Sequence, residues 1–377
     1  MDSFLLLICD RMAHYLKYYI MILLILPTIV GILLGGHWMW LGFIILFIVV
    51  VGGDALLSDD TSTPGYKYTW ILELPLHLAF PMISILLVSL AWSSGSGSSD
   101  LMGIGVWLGG LFDHDLIQAR NGSVWVDHLG AVIGTGFLVA GYGTNAGHEL
   151  SHRLKDRTAR SESRWLLSAS CNADFTIEHV FGHHSRVGTD DDPATARRGE
   201  NVYSFFFRST IMGHISAWRL ELGRLRKKGQ SPWFLHNQML TGYAMSLCWV
   251  GIFYAAAGSF GVMLFLGQAI LARFLFEAVN YMEHYGLSRR PDMPVMPEHS
   301  WNTNRRMSSM VLFSLTRHSS HHEKPKIPYW VLDPYTSAPQ MPFGYLTTFF
   351  LCLVPPLWYR VMEPRLKEWD SEYATVG

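Results

Sequence analysis

The chain has 377 residues, of which 50% are hydrophobic and only 16% charged, and its formal net charge is −1 at pH 7. So apolar a balance excludes a disordered, strongly solvated protein, and the near-zero charge leaves no basic surplus for nucleic acid; it points to a chain that lives in a bilayer. Four cysteines, Cys9, Cys171, Cys248 and Cys352, stand apart with no C-x-x-C pair, so they encode neither a disulfide framework nor a rubredoxin or iron–sulfur module.

Along the chain, six apolar runs approach the roughly 20 residues a helix needs to cross the hydrocarbon. They are residues 17–35, 38–57, 70–92, 124–147, 239–257 and 260–282. The run 101–112 is apolar but short and Gly-rich, which suits an interface or an outer loop. Lys and Arg gather after residue 147, at 153–164, 196–198, 224–228, 289–290 and 305–306, while the loops near 36–37 and 93–123 carry almost none. The positive-inside rule, with Arg11 and Lys17 ahead of the first span, then places residues 148–238 and 283–377 in the cytoplasm. The expected fold is all-α: a six-transmembrane-helix bundle capped by a cytoplasmic, helical, histidine-rich domain. Residues 1–147 hold helices 1–4, 148–238 a first histidine segment, 239–282 helices 5–6 and 283–377 a second histidine segment, as one integrated domain.

Seventeen histidines is a high count, and nine of them fall into four clusters. These are His148 and His152 in GHELSHR; His179, His183 and His184 in EHVFGHH; His284 in NYMEHYGL; and His318, His321 and His322 in RHSSHHEKP. All lie at or just beyond the cytoplasmic end of a span, so they can converge. Spacings of three and four place imidazoles on one helix face, and neutral imidazole is the commonest side-chain metal ligand. Nine ligands exceed what one metal takes, whereas two metals with four or five nitrogens each account for them. Ligand type leaves zinc, copper, iron and nickel open. A redox metal beneath an apolar bundle points to oxygen chemistry on an apolar substrate that arrives through the bilayer.

Three rivals are weaker. HELSH at 148–152 matches the H-E-x-x-H zinc-protease motif, but that reading leaves most clustered histidines without a task, and Leu332-Asp333 is followed by proline rather than glycine. A ferritin-like carboxylate site needs two E-x-x-H pairs, and Glu149 to His152 supplies one. A metal transporter would hold its sites at mid-span rather than beyond the helix ends.

The motifs GHELSHR (147–153), EHVFGHH (178–184), DPATAR (192–197), NYMEHYGL (280–287), HSWN (299–302) and LTRHSSHHEKP (315–325) together resemble the integral-membrane alkane 1-monooxygenases, within the membrane fatty acid desaturase and hydroxylase superfamily. Their order fits over roughly residues 15–365. The resemblance implies two non-haem irons held by His148, His152, His179, His183, His184, His284, His318, His321 and His322. It also implies O2 as co-substrate, a terminal C–H bond of a medium-chain n-alkane as target, and electrons from rubredoxin and its NADH-linked reductase at a bacterial inner membrane. A membrane fatty-acyl hydroxylase or desaturase is the nearest alternative, and the intramembrane zinc protease is the alternative from another class.

Carboxylates and amides beside the histidines are candidates to take the other ring N–H, which fixes tautomer and orientation: Glu149, Glu178, Asp190 or Asp192 (with Asp191 between them), Glu283, and Asn280 behind them. Trp38, Trp40, Phe43, Phe47, Gly134, Gly136, Phe137 and Phe274 are candidates to line a substrate channel. Asp54, Glu73 and His77 are polar groups within spans, expected to face the interior. Arg157, Arg160, Arg224, Arg226, Lys227 and Lys228 are expected to steer a small acidic electron donor.

Overall fold

A computed structural model describes residues 12–373; Cys9 and Arg11 fall outside the described residues. The architecture is all-helical, and among the described residues extended pairing is limited to an isolated bridge between Asn302 and Gln340. Among the described residues, four helices are long and apolar enough to cross a membrane: α1 (Met12–Leu34), α2 (Gly36–Leu56), α3 (Trp70–Ser93) and a 47-residue helix, Gln238–His284. Between α3 and that last helix come α4 (residues 125–151), α5 (Arg157–Ser168) and α6 (Val202–Lys227); the long helix is α7, and α8 is Pro355–Tyr373.

α7 is two helices joined at a break. Ala257 and Gly258 leave helical geometry, and Gly258 takes φ 58°, ψ −137°, a conformation that suits glycine. The chain doubles back there. The Phe253 and Phe265 rings pack at a tilt with centroids 5.3 Å apart, although twelve residues of straight helix would separate them by about 18 Å. Trp249 and Gln268, one on each leg, both reach residues 168–169 at the end of α5. The expected runs 239–257 and 260–282 are therefore the two legs of this hairpin. The run 124–147 is helical but is not among the four long apolar helices; it holds Asp127 and His128, and a π-turn at Val139–Thr144 interrupts it. The run 101–112 contains a short helix, Ile104–Phe112, whose Val106, Trp107, Leu111 and Phe112 are exposed.

Small residues set the closest approaches. A Cβ at Gly42 of α2 would collide with Thr28 of α1, so the two helices meet backbone to side chain. Gly42→Val is expected to destabilise the hairpin by about 1–3 kcal/mol, read as a lower unfolding temperature in detergent against a Gly52→Ala control, where a Cβ meets open space.

The polar groups within spans tie the bundle to the histidine-bearing segments. Asp54 accepts from the Ser308 backbone N–H at 2.9 Å and from its hydroxyl. His77 Nδ1 meets Glu162 of α5 at 2.5 Å, and Glu73 lies 3.6 Å from Arg153. Polar groups in apolar helices are costly unless partnered, and each of these three has a partner from a segment outside the long apolar helices.

Candidate metal centre

Four separate stretches deliver nine imidazoles to one place. His148 and His152 sit one turn apart at the end of α4, His284 ends α7, and the short helix His318–Glu323 carries His318, His321 and His322. His179 and His183 lie in a π-turn, His179–His183, with His184 directly after it. A π-turn adds a residue to the helical repeat and rotates the next side chains onto a different face, which is why such turns gather at functional sites.

Every ring turns Nε2 inward. His148 Nε2 lies 2.7 Å from that of His179, 3.1 Å from that of His321 and 3.4 Å from that of His152, while His184 Nε2 is 2.9 Å from that of His179. A second group closes through His183 to His322 at 3.3 Å, His322 to His318 at 2.9 Å and His318 to His284 at 3.1 Å. The first group holds His148, His152, His179, His184 and His321; the second holds His183, His284 and His322, with His318 and Glu283 joined at His284.

Burial holds His148, His179, His184, His318, His321 and His322 well below the usual imidazole range, and neighbouring imidazoles push the same way. His152 is lowered to about 4, chiefly by burial. Neutral rings each have one N–H and one lone pair, so this many Nε2 atoms at contact distance bring lone pairs together unless cations lie among them. Nitrogens bound to one metal at about 2.0–2.1 Å stand about 2.9–3.4 Å apart, close to the spacings here. The donor set therefore suits metal binding, with five imidazoles in one group and His183, His284 and His322 in a second that His318 adjoins, and it exceeds the four ligands of a structural zinc site.

The expected carboxylates separate on inspection. Asp192 accepts from His183 Nδ1 at 2.8 Å and from the Thr195 hydroxyl at 2.7 Å, and is buried. Burial alone would raise its carboxyl, but His183 and Thr195 outweigh burial and hold it below its usual range. Asp190 and Asp191, beside it, are exposed. Glu283 accepts from the Tyr345 hydroxyl at 2.8 Å, with His318 Nδ1 3.2 Å away but not aligned for a hydrogen bond. Glu178 pairs with Arg186, and burial raises its carboxyl to about 7. Glu149 is buried, with the Tyr329 backbone N–H 3.4 Å from its carboxylate, and burial raises its carboxyl to about 7. The Nδ1 atoms of His179, His184, His284 and His322 have no hydrogen-bond partner. Tyr345, and Phe175, whose ring stacks on His179 at 4.4 Å, are not among the expected residues; nothing in the spacing of GYLTTFF or ADFTIEH marks them.

An apolar cavity of about 120 Å³ leads from Met21, Leu46 and Val50 in the bundle to His148, His179 and His318. Of the aromatic and glycine residues expected along a channel, Phe137 lines it; Trp38, Trp40, Phe43, Phe47, Gly134, Gly136 and Phe274 do not, and Trp38 is 57% exposed on the outer surface. Helices that are apolar all round do not announce which face turns inward. Asn280 lines the cavity, above His284. Of the basic residues, Arg157, Arg160, Arg226, Lys227 and Lys228 are exposed. Arg224 instead forks onto Glu221 at 2.6 and 2.7 Å.

The fatty acid desaturase family pattern matches residues 123–351, more than half the chain. The chain is 35% identical to alkane 1-monooxygenase 2 of Pseudomonas aeruginosa over 335 residues, covering 88% of this chain and 84% of that protein. With alkane 1-monooxygenase 1 of the same organism it shares 40% identity over 272 residues, 71% of this chain and 70% of the relative. The hydroxylase component of a xylene/toluene monooxygenase from Pseudomonas putida is 29% identical, covering 96% and 92% of the two chains.

Proposed function

Because this chain belongs to the alkane 1-monooxygenase family, we propose that it is a membrane non-haem di-iron monooxygenase that hydroxylates the terminal methyl of medium-chain n-alkanes to 1-alkanols. The observation that carries this reading is the apolar cavity that runs from the bundle to both histidine groups. A terminal methyl has no polar handle, so shape and dryness are what a protein offers it. When bound, the two irons supply the activation of O2 that no side chain provides.

His148, His152, His179, His184 and His321 would hold one iron, and His183, His284, His318 and His322 the other, with Glu283 beside it. Asp192 keeps His183 in the tautomer whose Nε2 lone pair faces the metal. The Tyr345 hydroxyl holds the Glu283 carboxylate in place. Gly141 lines the cavity with room for a Cβ, the nearest atom being Met21 Cε at 3.6 Å. Gly141→Leu is therefore expected to lower the rate on dodecane relative to hexane by at least about tenfold, measured as the chain-length profile of purified variant and wild type.

Electrons are supplied by rubredoxin, itself reduced by an NADH-linked reductase, and Arg157, Arg160, Arg226, Lys227 and Lys228 form the surface that meets so acidic a partner, with Arg224 behind them. In the bilayer, α1, α2, α3, residues 124–147 and the two legs of α7 make six passes. Residues 148–238 and 283–377 then lie together on the cytoplasmic side of the inner membrane as part of one unit with 1–147 and 239–282. The basic clusters on those segments support this orientation.

The reading is tested by reconstituting the iron-loaded protein with rubredoxin, its reductase, NADH and isotopically labelled O2. Labelled 1-octanol from octane is the expected product. The similarity to a xylene/toluene monooxygenase makes a benzylic methyl the second substrate to assay: a strong preference for toluene, or alkene rather than alcohol, would overturn the alkane reading.

A further inference from the structure

A second cavity, of about 40 Å³ and more polar than the first, lies between α6, α7 and residues 172–184, well above the roughly 10–15 Å³ that one water requires. It shares only Phe175, His179, Phe276 and Asn280 with the apolar cavity, so these four residues are the wall between the two. Its floor is formed by His179 and His183, and its polar lining includes Asp174 and Glu277.

From Asp174 a chain of hydrogen bonds runs to the surface. His214 Nδ1 meets Asp174 Oδ2 at 2.9 Å, and His214 Nε2 meets the Tyr243 hydroxyl at 2.7 Å, which also accepts from Trp218 Nε1 at 2.7 Å. Indole N–H only donates, so the arrangement that satisfies every member has Tyr243 donating to Nε2 and Nδ1–H donating to Asp174. All the protons then point inward. The His214 side chain is 37% exposed, whereas Asp174 is 7% exposed.

Among the described residues Glu277 has no salt-bridge partner; Ser209 of α6 and Asn280 one turn on are the side chains that hydrogen-bond it. It is 6% exposed in α7 and faces the cavity, yet Arg273 and His214 both turn to Asp174, at 3.6 and 2.9 Å. Burial by itself would raise the Asp174 carboxyl, but His214 and Arg273 outweigh it and hold it below its usual range. Beyond these groups, Glu178, already engaged with Arg186, is the remaining carboxylate on the cavity wall.

We propose that His214, Asp174 and Glu277 form a proton relay that feeds the histidine centre through this polar cavity, separate from the route the substrate takes. The inference rests on the monooxygenase reading. Hydroxylation balances as R–CH3 + O2 + 2 e⁻ + 2 H⁺ → R–CH2OH + H2O: the donor protein supplies the electrons, and the protons end in the water released. The apolar cavity brings no protons, because its lining is almost wholly hydrocarbon. His214 takes a proton at the surface through Nε2 and passes one on from Nδ1 to Asp174; water in the cavity carries it to Glu277 and the wall at Asn280.

The test has two arms, one of which needs no metal. In metal-free wild type, the carboxyl infrared bands of Glu277, assigned by subtracting the spectrum of Glu277→Gln, are expected to shift within the mixing time on transfer to D2O. Asp174→Asn should slow that shift at least about tenfold. In the iron-loaded enzyme, Glu277→Gln is expected to lower kcat on octane by at least about tenfold with KM unchanged and with a larger solvent isotope effect. Glu277→Asp should recover part of the loss. Gly213→Val provides a variant that leaves every relay side chain in place: a Cβ at Gly213, on the cavity wall, meets only Glu178 Cγ, at 4.0 Å, and the branched side chain beyond it should narrow the cavity and reproduce the loss. A wild type that turns over no alkane would sink the monooxygenase reading and leave the exchange arm standing. Unchanged kcat and isotope effect in both Glu277→Gln and Gly213→Val, or exchange as fast in Asp174→Asn as in wild type, would overturn the relay.

Discussion

Replacing His148 by alanine is expected to cut octane hydroxylation to below about one hundredth of wild type and to lower the bound iron with it. His148 and His179 are the two most connected members of the five-histidine group, and His148 Nε2 is within 3.4 Å of the same atom on His152, His179 and His321. The loss of His148 leaves four imidazoles facing a gap and opens the floor of the apolar cavity, which His148 lines. Iron per chain and 1-octanol formed are the two readouts. His37→Ala is the control, because that side chain is 98% exposed and remote from the cluster. Full iron and full activity in His148→Ala would contradict the assignment of this residue as a ligand.

The second large effect is expected away from the metal-facing atoms. Asp192→Asn should lower iron affinity or hydroxylation about 10- to 100-fold. The carboxylate is held from three sides, by the Ala194 N–H at 3.2 Å, the Thr195 hydroxyl at 2.7 Å and His183 Nδ1 at 2.8 Å. A carboxylate accepts on both oxygens and so forces the proton onto His183 Nδ1; an amide of the same shape can present its NH2 group and lose that control. Asp190→Asn, two residues away but exposed, should fall within the scatter of wild type. Equal effects of the two substitutions would mean that the Asp-Asp-Asp run acts through its charge and not through Asp192.

The contrast between these neighbours shows where the sequence is transparent. Histidines at spacings of three and four announce a metal site because few other structures want so many imidazoles together, and all nine converge as their clustering suggests. The apolar runs at 239–257 and 260–282 are equally plain as two helical segments, whereas the left-handed turn at Gly258 between them comes from the structure. Which of three consecutive aspartates turns inward depends on the local turn around Pro193 and Thr195, and the residue string carries no such signal. The π-turn at His179–His183 is likewise invisible, since it changes how many residues fill a turn without changing their kind. The channel lies elsewhere than its expected lining for a related reason: in a bilayer the outward face is as apolar as the inward one, so Trp38 and Phe47 read like lining and sit outside, while Met21, Leu46 and Val50 read like lipid-facing residues and form the wall. Asp174 belongs to a third kind, a polar residue whose partners, His214 and Arg273, come from helices distant in sequence.

Metal content of the purified, chelator-free protein tests the central claim most directly, with iron, zinc, copper and manganese each counted against polypeptide. The five-plus-four arrangement of imidazoles predicts close to two irons per chain, falling in His148→Ala and holding in His37→Ala. A single zinc with no iron would contradict it and return HELSH to the centre of the account.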